Sequence, residues 1–184
     1  MNFYDKMIAV TNRHICKVDF LEQIKKICTL KPKALVLREK DLNESDYENL
    51  AYEVMKICEN HKIQFIAHNF INAARNLNCK NIHLPLSKLR SESVSDFEII
   101  GASCHSVDDV LEAEKLGAKY VFLGNIYETD CKKGLKGKGL DLLRETCNVS
   151  SIPVYAIGGV NLEKMSEILK TGASGGCMMS GFMN

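Results

Sequence analysis

The sequence predicts an α/β fold, a short (β/α)8 TIM barrel built as one domain over residues 1–184. Three observations predict it. Eight short runs are β-branched or aliphatic on both faces, which suits strands buried on both sides. Stretches with helical spacing lie between many of them. Two of those stretches end in a glycine that turns directly into the next run, at Gly117 and Gly172. Strands alternating with helices argue a parallel sheet, and a count of eight closes it, whereas five or six would suggest an open, doubly wound sheet.

Met7–Thr11 is the first run, followed by helical spacing over Phe20–Cys28 with Phe20, Leu21, Ile24 and Ile27 on one face. Ala34–Leu37 is the second run and leads into a helix over Tyr47–Asn60, carried by Leu50, Val54, Ile57 and Cys58. Gln64–Ala67 and Asn81–Leu84 are the third and fourth runs, and between Leu84 and Phe97 the helical pattern is poor. Glu98–Ala102 is the fifth. Ser106 before Val107-Asp108-Asp109 marks the N-cap of a helix over Val107–Leu116. Tyr120–Leu123 and Val154–Ile157 are the sixth and seventh runs, Asn161 caps a helix over Leu162–Lys170, and Gly175–Met179 is the eighth run. No eighth helix is evident before Asn184. Without it, apolar side chains of Met7–Thr11 and Gly175–Met179 are expected to be wet, and a patch of that kind usually marks an interface. A second subunit or the N-terminal segment is the expected cover.

Composition narrows the function. Apolar residues make up 46% and charged residues 26%, so the chain can bury a real core and global disorder is excluded. The net charge of +1 lacks the broad basic footprint of a nucleic-acid binder. No apolar run approaches the roughly 18 residues of a membrane span, and Met1–Met7 lacks a signal-peptide core. The eight cysteines show no C-x-x-C and no zinc-ligand spacing, and Cys28, Cys58 and Cys177 sit in apolar periodic segments. Reduced thiols in a cytoplasmic protein are the expectation.

In a parallel barrel the chemistry sits at the C-terminal ends of the strands. Gly158-Gly159 after the seventh run and Ser180-Gly181 after the eighth occupy the recurrent phosphate position. The glycines would either let backbone N–H groups approach an anion or simply make a tight turn. Arg38 and Lys40 are two apart and face the same way, either toward a carboxylate or phosphate or into ion pairs with Glu39 and Asp41. Thr129 to Gly139 is rich in glycine and lysine, including Lys132 and Lys133, and reads as a closing loop or a solvated one. Among the five histidines, His14 and His61 read as surface residues and His83 as a core residue. His68 and His105 stand at strand ends and are the acid/base candidates.

Several of these segments together, Leu37-Arg38-Glu39-Lys40, Asn81-Ile82-His83-Leu84, Gly101-Ala102-Ser103-Cys104-His105, Glu128-Thr129-Asp130-Cys131-Lys132-Lys133-Gly134 and Ala156-Ile157-Gly158-Gly159, resemble the thiamine phosphate synthase / TenI superfamily. The Glu128–Gly134 segment is similar to the TenI branch, the thiazole tautomerases. The resemblance implies a phosphorylated thiazole as ligand, a homodimer, and substrate contacts from Arg38, Lys40, Asn69, Ser103, Thr129, Lys132 and Lys133. The synthase branch carries Gln-x-Arg-x-Lys, Asn-Asp and a further Asp; here those places hold Val36, His68-Asn69 and Lys88. The two acids hold magnesium, which wants anionic oxygen ligands, so synthase activity and a metal requirement are not expected. The tautomerase branch has Gly-His-Val-Phe-Glu-Thr where this chain has Gly124-Asn125-Ile126-Tyr127-Glu128-Thr129, so Asn125 stands at the catalytic His position.

Three functions follow. The first is a TenI-like protein that aromatises a carboxythiazole phosphate, with no cofactor and no nucleic-acid or membrane partner. The second is a non-catalytic protein that keeps the thiazole phosphate site and has lost the base. The third is a divergent synthase. For the first, the base is expected to have migrated to His68, with Asn125 as a hydrogen-bonding partner and His105 in reserve.

Overall fold

The computed structural model describes residues 3–129, 134 and 136–184. Eight strands run in chain order as a closed barrel: β1 Met7–Val10, β2 Ala34–Leu37, β3 Gln64–His68, β4 Asn81–Pro85, β5 Ile99–Cys104, β6 Tyr120–Gly124, β7 Val154–Ile157 and β8 Gly175–Met178. The pairings are parallel, with Leu35 beside Phe65, Ser103 beside Phe122 and Ala156 beside Gly176. Helices follow the strands: α1 Phe20–Thr29, α2 Glu44–His61, α3 Ile71–Asn76, α4 Leu86–Ser91, α5 Val107–Lys115, α6 Gly139–Val149, α7 Met165–Leu169 and α8 Ser180–Met183. No described helix is long and apolar enough to cross a membrane.

The chain divides into two compact units. One is Met1–His83 with Val94–Glu98 and Met179–Asn184; the other is Leu84–Ser93 with Ile99–Met178. In the first, β1 and β2 are buried along their whole length, as strands covered on both faces must be. Asp19 caps α1 and Asn43 caps α2, each accepting a backbone N–H three residues on. The helices turn Ile24, Ile27, Tyr47, Ala51 and Val54 inward. Tyr47 is fully buried; its hydroxyl donates to Leu37 O and accepts from the His68 N–H, both at 2.8 Å, so one side chain pins the ends of β2 and β3.

The seam expected to be wet is dry. Met7 to Val10 are at most 3% exposed and Cys177 and Met178 at most 5%. Beyond β8 the chain makes one helical turn, α8, in which Phe182 and Met183 are buried. Gln23 Nε2 donates to Phe182 O at 2.6 Å, and the Tyr4 ring lies 5.8 Å from the Phe182 ring. The segment after β8 thus carries a four-residue helix where the sequence shows none. Among the described residues, the strand side chains expected to form a wet apolar patch are buried.

In the second unit, Ser106 caps α5 by accepting the Asp109 N–H at 3.1 Å, and Gly117 and Gly172 follow α5 and α7 at φ +92° and +93°. Tyr120 and Phe122 share a sheet face by their two-residue spacing and meet Tyr155 at ring separations of 6.0 and 6.4 Å. Among the described residues, seven cysteines carry free thiols, and burial pushes that of Cys104 up to about 12.

Candidate functional site

In the first unit the ends of β1 and β2 are tied by a network the sequence reading did not contain. Glu39 is 2% exposed. It accepts from Thr11 Oγ1 at 2.6 Å, from the Arg13 backbone N–H at 3.0 Å and from Arg13 Nη1 at 3.0 Å. Arg13 Nη1 also reaches Asp41 at 2.7 Å, and His14 Nε2 lies 3.0 Å from the same carboxylate. The guanidinium holds the Asp41 carboxyl well below the usual range, and Asp41 in turn raises Arg13. The acids considered as partners of Arg38 and Lys40 are therefore engaged by Arg13. Arg38 is half-buried and donates its backbone N–H to Thr11 Oγ1 at 2.9 Å, while Lys40 is exposed. The signal was present in the alternation Arg38-Glu39-Lys40, which sends Glu39 to the opposite side from its two cationic neighbours.

His68 ends β3, one residue beyond the expected run. The β3/β4 register sets it beside His83, and the two rings stack at 5.8 Å with 14° between planes. They are 4% and 1% exposed. His83 is held neutral, well below the ordinary imidazole value, by burial first and then by the fields of His68 and Lys40. Asn69 turns at φ +71° and donates its N–H to His83 O at 3.1 Å. It offers a neutral amide oxygen, and Lys88 on α4 is a cation. Among the described residues no three His, Cys, Asp or Glu side chains cluster in a way that could hold a metal ion. The residues present do not fit the magnesium site of the synthase branch.

In the second unit His105 follows β5 and is exposed. Its Nδ1 lies 2.6 Å from Gly124 O, its backbone N–H donates to Asp109 Oδ2 at 2.7 Å, and Lys138 Nζ donates to its carbonyl. Ser103, two residues back on β5, is half-buried. Asn125 follows β6 and is 4% exposed; its side-chain amide donates to Tyr127 O at 3.3 Å and Lys136 O at 3.5 Å. Its backbone O accepts from the Lys138 N–H at 2.9 Å, which seats the end of the glycine- and lysine-rich loop. Thr129 is half-buried on that loop; Asp130, Cys131, Lys132 and Lys133 lie outside the described residues.

Gly158 and Gly159 follow β7 at φ +94° and +65°. A Cβ on Gly158 would stand 2.5 Å from Asn125 Cβ, and one on Gly159 would stand 2.5 Å from Glu128 O. The glycines are thus required by the 125–128 segment lying against them. Tyr127 donates its N–H to Gly158 O at 3.0 Å, and Lys164 Nζ donates to Gly159 O at 2.7 Å while lying 4.1 Å from the Tyr127 ring centre. Tyr127 OH donates to Glu167 at 2.5 Å. Ser180 and Gly181 are the exposed first residues of α8, in the first unit. Structure thus gathers His105, Asn125, Gly158 and Gly159 in one unit and Arg38, Lys40, His68 and Asn69 in the other.

The molecule is a parallel (β/α)8 barrel with imidazole, amide and cationic side chains on the C-terminal ends of its strands, where such barrels carry their chemistry. Residues 7–182 match the family model described as thiamine monophosphate synthase. The chain belongs to that family. It is 34% identical to the thiamine-phosphate synthase of Clostridium acetobutylicum, over 97% of this chain and 87% of that protein. It is 31% identical to the thiamine-phosphate synthase of Pyrococcus horikoshii, over 100% and 90% of the two chains. The solved thiamine phosphate pyrophosphorylase of Pyrococcus furiosus superposes with a TM-score of 0.81 at 26% identity, over 97% of this chain and 88% of that one. These matches carry the superfamily; they do not single out its TenI branch.

Proposed function

We propose that the chain binds a phosphorylated thiazole of thiamine biosynthesis and tautomerises it to the aromatic ring. The observation that carries the reading is the donor set: Asn69 and Lys88 stand where the synthase pattern needs two carboxylates for magnesium. A tautomerisation releases no pyrophosphate and needs no such ion. Gly158 and Gly159 are the candidate phosphate residues, with Ser180 and Gly181 as a second candidate pair, and Arg38 and Lys40 are the candidates for a carboxylate. Asn69, Ser103, Thr129, Lys132 and Lys133 are further candidate contacts.

Titration with thiazole phosphates, followed by exchange of the ring proton with deuterated solvent, tests the reading. Binding with exchange, and no magnesium-dependent coupling to thiamine phosphate, is the expected result. A second reading, binding without catalysis, is favoured by Asn125, whose amide is engaged with the loop and cannot act as a base. Binding without exchange selects it. Magnesium-dependent release of pyrophosphate at ordinary enzyme rates would instead select the synthase activity for which the relatives are named.

A further inference from the structure

We propose that His105 is the general base of this reaction, acting through Nε2; the inference rests on the tautomerase reading above. The chain has five histidines. His14 is paired with Asp41, and His61 places Nδ1 2.9 Å from Ile57 O in the last turn of α2. His68 and His83 are buried against each other. His105 is the one that is both exposed and set at the C-terminal end of a strand.

Its chemistry is set by its partner. A carbonyl oxygen only accepts, so the 2.6 Å contact with Gly124 O places the proton of the neutral ring on Nδ1. The lone pair is then on Nε2. The backbone that carries the ring is also held. Asp109 takes the His105 N–H and is itself fixed at the start of α5, because its own N–H is donated to Ser106. Lys138 grips the His105 carbonyl and gives its backbone N–H to Asn125 O. Gly124 O belongs to the residue just before Asn125. The imidazole therefore stands beside the same stretch of backbone from which the amide of Asn125 has been drawn away into the loop.

The step balances without a co-reactant. Nε2 takes the proton from the ring carbon, and the C–H electron pair enters the conjugated system. The imidazolium so formed returns a proton to the carbon at the other end of that system, and the base is regenerated. While the ring is charged, the Nδ1–H bond to Gly124 O becomes charge-assisted and steadies it.

The test uses the intact protein. His105→Asn keeps an amide donor near the place of Nδ1 and deletes the basic nitrogen. Ring-proton exchange should fall by roughly 10²- to 10⁴-fold, the usual worth of a positioned base, while the affinity for thiazole phosphate stays within about threefold. ¹⁵N spectra of the histidine-labelled protein should show His105 as the Nδ1–H tautomer. His105→Gln, checked for native circular dichroism, serves if the Asn variant does not fold. Exchange that survives both variants, a proton on Nε2, or exchange lost in His68→Asn but kept in His105→Asn overturns the assignment. Binding without exchange in the unmodified protein also overturns it, and leaves the binding half of the reading intact. Failure to bind any thiazole phosphate overturns the reading itself, and the role of His105 with it.

Discussion

Burial, His68 and Lys40 all oppose a positive charge on the His83 ring, burial most. Its folded value is depressed below the ordinary 6.5. The stability this neutral residue contributes is therefore present above about pH 6.5 and is lost as pH falls, because the unfolded chain takes up a proton that the folded chain refuses. The slope is at most about 1.4 kcal/mol per pH unit for one proton. Urea midpoints for the wild type and His83→Gln, compared from pH 8 to pH 5, should show a constant difference above roughly pH 7 that shrinks below it. A constant difference throughout would mean that His83 titrates alike in the folded and the unfolded chain, and would overturn the depressed value. The core role of His83 could be read from its place inside an apolar strand. The stacking on His68 could not, because it depends on the β3/β4 register. The Arg13 network escaped for a similar reason: its members are 26 to 28 residues apart and meet only because β1 and β2 are neighbours.

Elements were legible where they carry two signals at once. Helix α5 has both an apolar stripe and Ser106 as a cap, and it was read to within a residue. Helix α6 starts at Gly139 behind Lys138 with no side-chain cap, so no start signal marked it and the sequence analysis names no helix there. Helix α3 is six residues long and is held by buried Ile71, Ala73 and Ala74 after an uncapped Phe70, too short a stretch for a period to declare itself. Helix α7 shrinks to Met165–Leu169, because Asn161 caps only a preliminary turn by accepting the Lys164 N–H. Helix α8 has four residues and no periodicity at all, yet it buries Phe182 to 2% exposure. Phe182→Ala should cost about 3–5 kcal/mol, the range for truncating a buried aromatic side chain, measured by urea denaturation. A loss below about 1 kcal/mol would show that the turn contributes little cover.

The whole architecture was legible because a closed parallel sheet writes itself repeatedly: each strand is apolar on both faces and each is followed by a return stretch. Chemistry is written once, at strand ends, and a single substitution such as Asn125 changes its meaning. The superfamily thus emerged from many residues, and the branch rests on few. Closure also brings the segments after β6 and β7 into contact, with Gly158 lying under Asn125. An alanine at 158 would have a backbone at φ +94° and a Cβ 2.5 Å from the Cβ and 2.7 Å from the Cα of Asn125. Gly158→Ala should therefore lower the melting temperature, and Asn125→Gly should recover little of the loss, because the backbone Cα at 125 stays 2.7 Å from the added Cβ. In hereditary terms the two loops form a linked pair. The dependence runs one way: many side chains at 125 are compatible with a glycine at 158, whereas a side chain at 158 meets the backbone of 125 whatever residue stands there.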